Sequence, residues 1–287
     1  MTYRHEFASA LASDSMPVPS LPIDDGVLYR FHIEGDKTGS LNGWYVLHGG
    51  RVPAGAYGSW KTGFKNTWRA NTGTALTQAD RDSASRLIAA AKQQRRDEQQ
   101  RLHQAAAQSA AQFWASASPA DANHAYLQAK QVKPYGLRQT GKTLLAPLHA
   151  AGKLVNLQRI TPDGQKKFLY DGQVTGAYYP IRGPQGELYI CEGVATAHTI
   201  HALIGVSVVA AMNCGNLKPV AQYFRCRYPD LPITLAADND HSTAGNPGIT
   251  KATEAAAAVE GLIVWPRFPA GAQGTDFNDL AVMGVAQ

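Results

Sequence analysis

LYICEGVATAHTIHALIGVSVVAAMNCGNLKPVAQYFRCRYPDLPITLAADND, residues 188–240, repeats one pattern. Apolar runs at 188–191, 207–213 and 233–237 are separated by stretches at 194–205 and 217–228 that suit helices. Short, almost uninterrupted apolar runs are typical of strands buried on both faces, and spacers of about a dozen residues suit crossover helices. The alternation continues through GITKATEAAAAVEG at 248–261 and LIVWPRF at 262–268. It predicts an α/β fold with a parallel, helix-covered sheet.

Acidic residues close the strands of that pattern. Glu192 follows LYIC and precedes Gly193, Asp238 and Asp240 alternate around Asn239 after ITLAA, and Asp276 and Asp279 lie in TDFNDL. Ligands of open α/β sheets bind outside the carboxyl ends of the strands. In extended backbone Asp238 and Asp240 point to one face. Carboxylates without His or Cys suit Mg2+ or Mn2+, which take oxygen ligands and keep waters and substrate phosphates. Asp276 and Asp279 read equally as further ligands or as a helix cap and an exposed helix residue before LAVM. The helix after Asn246-Pro247-Gly248, which bears Lys251, offers free N–H groups to a phosphate. His241 reads as a loop residue, and His198 and His201 as packing or surface residues of a helix.

Outside this segment the chain is basic. Residues 1–187 hold 22 Lys/Arg against 14 Asp/Glu, and 188–287 hold 5 against 8. Cations attract a polyanion while carboxylates hold a metal, so the asymmetry suits an enzyme acting on nucleic acid. Cys191, Cys214 and Cys226 form no CxxC pair, so no zinc site is expected. No stretch has the length of a membrane span and the first residues lack a leader pattern, so a cytoplasmic protein with no membrane partner is expected. GLRQTGKT at 136–143 matches the P-loop letter for letter. It lacks the strand before and the helix after that the motif requires, so no ATP-binding loop is assigned.

Four segments follow. Residues 1–75 read as a small β module, from VLYRFHIEG, GWYVLHGG and AGAYGSWKTGFKNTW. Residues 76–118 read as a long helical spacer, rich in Ala, Gln, Arg and Lys. Residues 119–185 read as a short helix and an antiparallel β meander with turns at Ala151-Gly152 and Pro162-Asp163-Gly164. Residues 186–287 form the α/β segment.

On ICEG at 190–193, LAADND at 235–240 and DFNDL at 276–280, the last segment resembles the Toprim family, the catalytic domain of bacterial-type primases, topoisomerases and certain nucleases. The resemblance implies a Rossmann-like sheet, acid/base or metal chemistry at Glu192, and magnesium at Asp238 and Asp240. Many primase-like members carry an acid four positions after the glutamate, where this chain has Thr196. The basic meander is similar to the segment preceding Toprim in such primases, which implies that Arg159, Lys166 and Lys167 contact phosphates of template or nucleotide. The β module is similar to their N-terminal zinc ribbon but lacks its cysteines. It would then be held by aromatic packing of Trp44, Tyr45, Tyr57 and Trp60, with Arg51, Lys61 and Lys65 available to nucleic acid. The resemblance implies a nucleotidyltransferase making RNA primers from ribonucleoside triphosphates on single-stranded DNA, for a plasmid, phage or other mobile element and beside a separate helicase. A Toprim nuclease and a non-catalytic DNA-binding replication accessory protein are the alternatives.

Overall fold

The computed structural model describes residues 2–36, 38–59, 61–71, 77–184, 186–269 and 271–284. They fall into two compact units, Met1–Asp97 and Glu98–Gln287. The boundary between the units lies inside the long helix.

In the first unit, α1 (Tyr3–Ser13) accompanies β1 (Asp25–Phe31), β2 (Gly43–His48), β3 (Ala54–Ser59) and β4 (Lys65–Arg69). Each strand pairs antiparallel with the next, giving the order β1-β2-β3-β4. Phe7 and Leu11 of α1, one helical turn apart, are fully buried with Met16, Phe31, Tyr45, Leu47 and Tyr57. Tyr45, Tyr57 and Trp68 meet the Phe7 ring edge-on at 6.0, 5.7 and 5.2 Å. Gly55 permits this approach, since a Cβ there would lie 2.6 Å from the Val46 carbonyl and 2.9 Å from Phe7. Aromatic packing thus forms this core, with Trp44 buried as well. Trp60 lies outside the described residues.

α2 (Gln78–Ser116) contains neither Gly nor Pro. Ala110, Trp114 and Ala117, at its end, pack on Leu145 and Leu157 of an antiparallel sheet in the second unit. That sheet runs β5 (Ser118–Pro119), β6 (Arg138–Thr140), β7 (Thr143–Ala150), β8 (Lys153–Ile160) and β9 (Lys166–Phe168), with α3 (Ala125–Lys130) between β5 and β6. Leu144, Ala146 and Ile160 occupy its other face and pack with Tyr126 and Leu127 of α3. The GLRQTGKT match falls on the β6–β7 hairpin, where Thr140 pairs with Thr143 and Gly141 takes φ 55° at the turn.

The remaining sheet has the order β10-β12-β11-β13-β14. β11 (Leu188–Cys191), β12 (Ser207–Ala210), β13 (Ile233–Ala236) and β14 (Leu262–Val264) are parallel, and β10 (Tyr179–Ile181) adds an antiparallel edge. The strands alternate as a two-sided sheet must. Cys191, Val208, Ala210 and Ala236 face α4 (Val194–Ile204). Leu188, Ile190, Val209, Ile233 and Leu235 face α5 (Leu217–Arg227) and α6 (Pro247–Ala257). Each such buried Leu, Ile or Val contributes about 1.5–3 kcal/mol relative to exposure. The chain passes from β11 outward to β12 and then back to β13 on β11's other side. The order therefore reverses at β11, the switch point where such sheets bind ligands.

Candidate metal centre at the strand ends

Cys191 pairs in register with Ala236. Glu192 and Asp238 therefore emerge one and two residues beyond the same level, at the carboxyl edge of neighbouring strands. Gly193 is the N-cap of α4, which turns the chain away and leaves the Glu192 carboxylate at the crevice. Glu192 Oε1 and Asp238 Oδ1 are both buried without a hydrogen-bond partner. Burial raises the Glu192 pKa to about 7, reinforced by Asp240 and Asp276 and opposed by the Cys214 backbone. Burial likewise lifts Asp238 to about 8, with Glu192, Asp276, Asp240 and Asp279 adding to it. Crowded, desolvated carboxylates with open lone pairs are what a hard cation would satisfy. Among the described residues no three His, Cys, Asp or Glu side chains converge into a ready-made metal cage. The donor chemistry fits a divalent cation nonetheless, through those two orphaned oxygens.

Asp240 is placed differently from Asp238. Its Oδ2 accepts the Gly248 N–H at 3.0 Å, at the start of α6, and its own N–H donates to Asn246 Oδ1 at 2.9 Å. A Cβ on Gly248 would lie 2.3 Å from the Asp238 carbonyl, so only glycine lets α6 close on this loop. Asn239 ties the loop onward, its N–H donating to the Thr275 carbonyl at 2.6 Å. The residue between the two aspartates thereby brings the 275–279 segment to the crevice.

There Asp276 is the N-cap of α7 (Phe277–Val282), its Oδ1 accepting the Asp279 N–H at 2.8 Å. Its Oδ2 accepts the Thr196 hydroxyl at 3.0 Å. Asp279 is committed elsewhere: Oδ1 meets Lys130 Nζ at 3.0 Å and Oδ2 accepts the Thr275 N–H at 3.1 Å. Burial works to raise its pKa, but Lys130 and these backbone donors hold it below the usual carboxylate range.

Of the basic residues expected to hold phosphate, Lys166 is the one the fold brings to the acids. It pairs with Ile160, whose face of the sheet carries α3, and its Nζ stands 5.7 Å from the centre of the Tyr126 ring. Although the residue is solvent-accessible, desolvation of its ammonium lowers the pKa, as does Lys130, while Asp276, Asp238 and Asp279 pull it upward. Tyr126, Lys130, Lys166, Asp163 and Asp279 line a cavity of about 690 Å3 here. The Tyr126 hydroxyl is buried without a partner, and burial with the charges of Asp276 and Asp279 raises its pKa to about 12. Arg159 and Lys167 pair with each other, and Arg159 also pairs with Leu145, so both belong to the opposite face, against which α2 ends. Lys251 is exposed and pairs with Glu254 at 2.8 Å. In the first unit Lys61 pairs with Asp36 at 2.6 Å, and Arg51 and Lys65 are exposed.

Lys130, Tyr126, Asn239 and Asn278 escaped the sequence reading. Asn278 is buried and donates to the Lys130 carbonyl at 2.7 Å and to Thr199 at 2.9 Å. Only the NDL following Asp276 hinted at it. His198 is buried, with Nδ1 2.6 Å from the Lys133 carbonyl and Nε2 2.9 Å from the Tyr179 hydroxyl, a packing role. His201 Nδ1 lies 2.7 Å from the Val206 carbonyl. Cys191 is buried, Cys214 intermediate and Cys226 exposed, all as free thiols.

A switch-point crevice edged by carboxylates, in a 2-1-3-4 parallel sheet, defines the class: residues 187–286 match the Toprim domain family, and this segment is a Toprim domain. The chain is 35% identical to a DNA primase TraC of Escherichia coli, an alignment covering 98% of this chain and 20% of that protein. A second E. coli DNA primase TraC is 36% identical, over 94% of this chain and 27% of its own length. The chain thus spans about a fifth to a quarter of the curated relatives it matches. A solved bacteriophage T7 assembly is also similar: lagging-strand DNA polymerase with primase domains of two gp4 subunits, an RNA/DNA hybrid and dTTP. That likeness, 15% identity over 55% of this chain and 84% of the other with a TM-score of 0.41, is too slight to bear on function.

Proposed function

We propose that the chain is the catalytic part of a DNA primase, joining ribonucleotides on a single-stranded DNA template with Mg2+ or Mn2+. The observation that carries this reading is the pair of buried, unpartnered oxygens, Glu192 Oε1 and Asp238 Oδ1, at the switch point of a Toprim domain. The similarity to the two DNA primases TraC supports the substrate class. The reading includes a plasmid, phage or other mobile-element setting, in the cytoplasm and beside a separate helicase.

Glu192 and Asp238 would hold the cation, with Asp240 steadied by the start of α6. A bound divalent cation supplies charge neutralisation at the reacting phosphate. Lys166 orients phosphate oxygens beside the acids, a task suited to a flexible ammonium. Glu192 would serve either as a ligand of that cation or as the acid/base toward the attacking 3′-hydroxyl. Arg159 and Lys167, on the other face of their sheet, would track template phosphates there, with Lys251, Arg51, Lys61 and Lys65 adding sequence-independent affinity.

The test is incubation of the chain with labelled single-stranded DNA, ribonucleoside triphosphates and Mg2+ or Mn2+. New RNA products support the reading. Shortened DNA would make the protein a nuclease, and retained DNA without any product would make it a binding accessory.

A further inference from the structure

We propose that Thr196 is a positioning residue, holding Asp276 as the third carboxylate of the cation site. The inference rests on the reading that Glu192 and Asp238 bind a divalent cation. Thr196 lies in the first turn of α4, whose N-cap Gly193 directly follows Glu192. It is fully buried, and its hydroxyl donates to Asp276 Oδ2 at 3.0 Å across 80 residues of sequence. Capping α7 requires only Oδ1, which accepts the Asp279 N–H. The second oxygen is surplus to the cap. Thr196 takes it and so fixes the rotation of the carboxyl plane.

Each carboxylate oxygen has two acceptor sites, so Asp276 keeps one free on either oxygen after these two bonds. It directly follows Thr275, whose carbonyl accepts the N–H of Asn239 at 2.6 Å, between Asp238 and Asp240, so the segment carrying Asp276 lies against the loop of those acids. Asp279, the other carboxylate of the segment, is engaged by Lys130 and by the Thr275 N–H. A fold that brings a third carboxylate toward two desolvated ones incurs repulsion, which a shared cation removes. The hydroxyl orients a ligand from behind, as outer partners of metal ligands do.

The experiment titrates Mn2+ against the whole chain and reads free ion by electron paramagnetic resonance. Thr196→Val keeps the shape and removes the donor; it should weaken Mn2+ binding about tenfold or more, the usual effect of losing an outer partner. Thr196→Ser, which keeps the hydroxyl, should stay within about twofold of wild type. Asp276→Asn preserves the helix cap and should weaken binding at least as much. Since the two residues act as one unit, adding Thr196→Val to Asp276→Asn should weaken it no further. If Thr196→Val does not fold, the smaller Thr196→Ala serves as the donor-free variant. Wild-type affinity in the donor-free variant, or independent multiplication of the two effects, overturns the proposal. A purely structural threonine would lower the melting temperature without moving Mn2+ affinity, which also overturns it. The primase reading fails separately: Mn2+ binding with this mutational pattern, but no RNA product, retires that reading and leaves Thr196 as assigned.

Discussion

Lys130 Nζ stands 3.0 Å from Asp279 Oδ1, joining α3 to α7 across 149 residues of sequence. The two side chains keep 31% and 28% of their exposure, so solvent screens the pair and its worth is modest. A double-mutant cycle with Lys130→Met and Asp279→Asn in urea should give a coupling of about 0.5–1 kcal/mol. A coupling indistinguishable from zero would mean that the buried Asn278 alone secures α3 to α7.

Glu192→Gln and Asp238→Asn remove charges that the apo fold tolerates poorly. Both variants should lose primer synthesis. In chelator near pH 8 both should nevertheless melt above wild type, by roughly 1 kcal/mol of stability after screening. Calorimetry decides, and lower melting in both variants would refute the strained-acid account.

The pH dependence without metal follows in sign. Folded pKa values of about 7 and about 8 lie above the ordinary 4.5 and 3.8 of these groups. The folded state binds the extra protons, so their contribution is full below the ordinary values and is lost as pH rises through about 7 to 8. Thermal melts in chelator should show that loss, and Mg2+ should remove it. An unchanged slope with saturating Mg2+ would place the cation elsewhere.

His198 acts in the other direction. Burial lowers its pKa from 6.5 to about 4, the Lys133 carbonyl opposing and His201 adding to the shift. The unfolded chain binds the extra proton in that window, so stability falls as pH drops from 6.5 toward 4, by up to about 3 kcal/mol. His198→Gln should flatten this acid limb in urea titrations. If the limb keeps its full steepness in that variant, another group is responsible.

Lys166 and Lys167 are neighbours in sequence on opposite faces of one sheet. Lys166→Ala should raise the KM for ribonucleotides about tenfold, the order of one lost charge-assisted contact of about 1.4 kcal/mol. Lys167→Ala should leave KM nearly unchanged and weaken DNA binding, chiefly at low salt. Equal effects on KM would show that the strand's alternation does not govern function.

Much of this architecture was legible locally. Uninterrupted apolar runs identified β11, β12 and β13, because strands buried on both faces have no polar side to display. The absence of Gly and Pro marked α2, and glycine-flanked aromatic stretches marked the first sheet. α1 was not legible, since its burial rests on Phe7 and Leu11 alone, too few to produce a periodic signal. The boundary between the two units was not legible either, because the continuous helix carries no composition break at Asp97.

The site divides in the same way. The sequence by itself put acids just past strand ends: the apolar runs and the chain direction set Glu192 directly after β11 and Asp238 and Asp240 shortly after β13. Tertiary structure alone decided which partners those acids have. It set Thr196 on Asp276 and Lys130 on Asp279, and it turned Lys166 toward the acids while turning Arg159 and Lys167 away. The reason is physical. Backbone geometry propagates along a few residues, so it can be read from spacing, whereas hydrogen bonds spanning 80 and 149 positions depend on how sheets and helices dock.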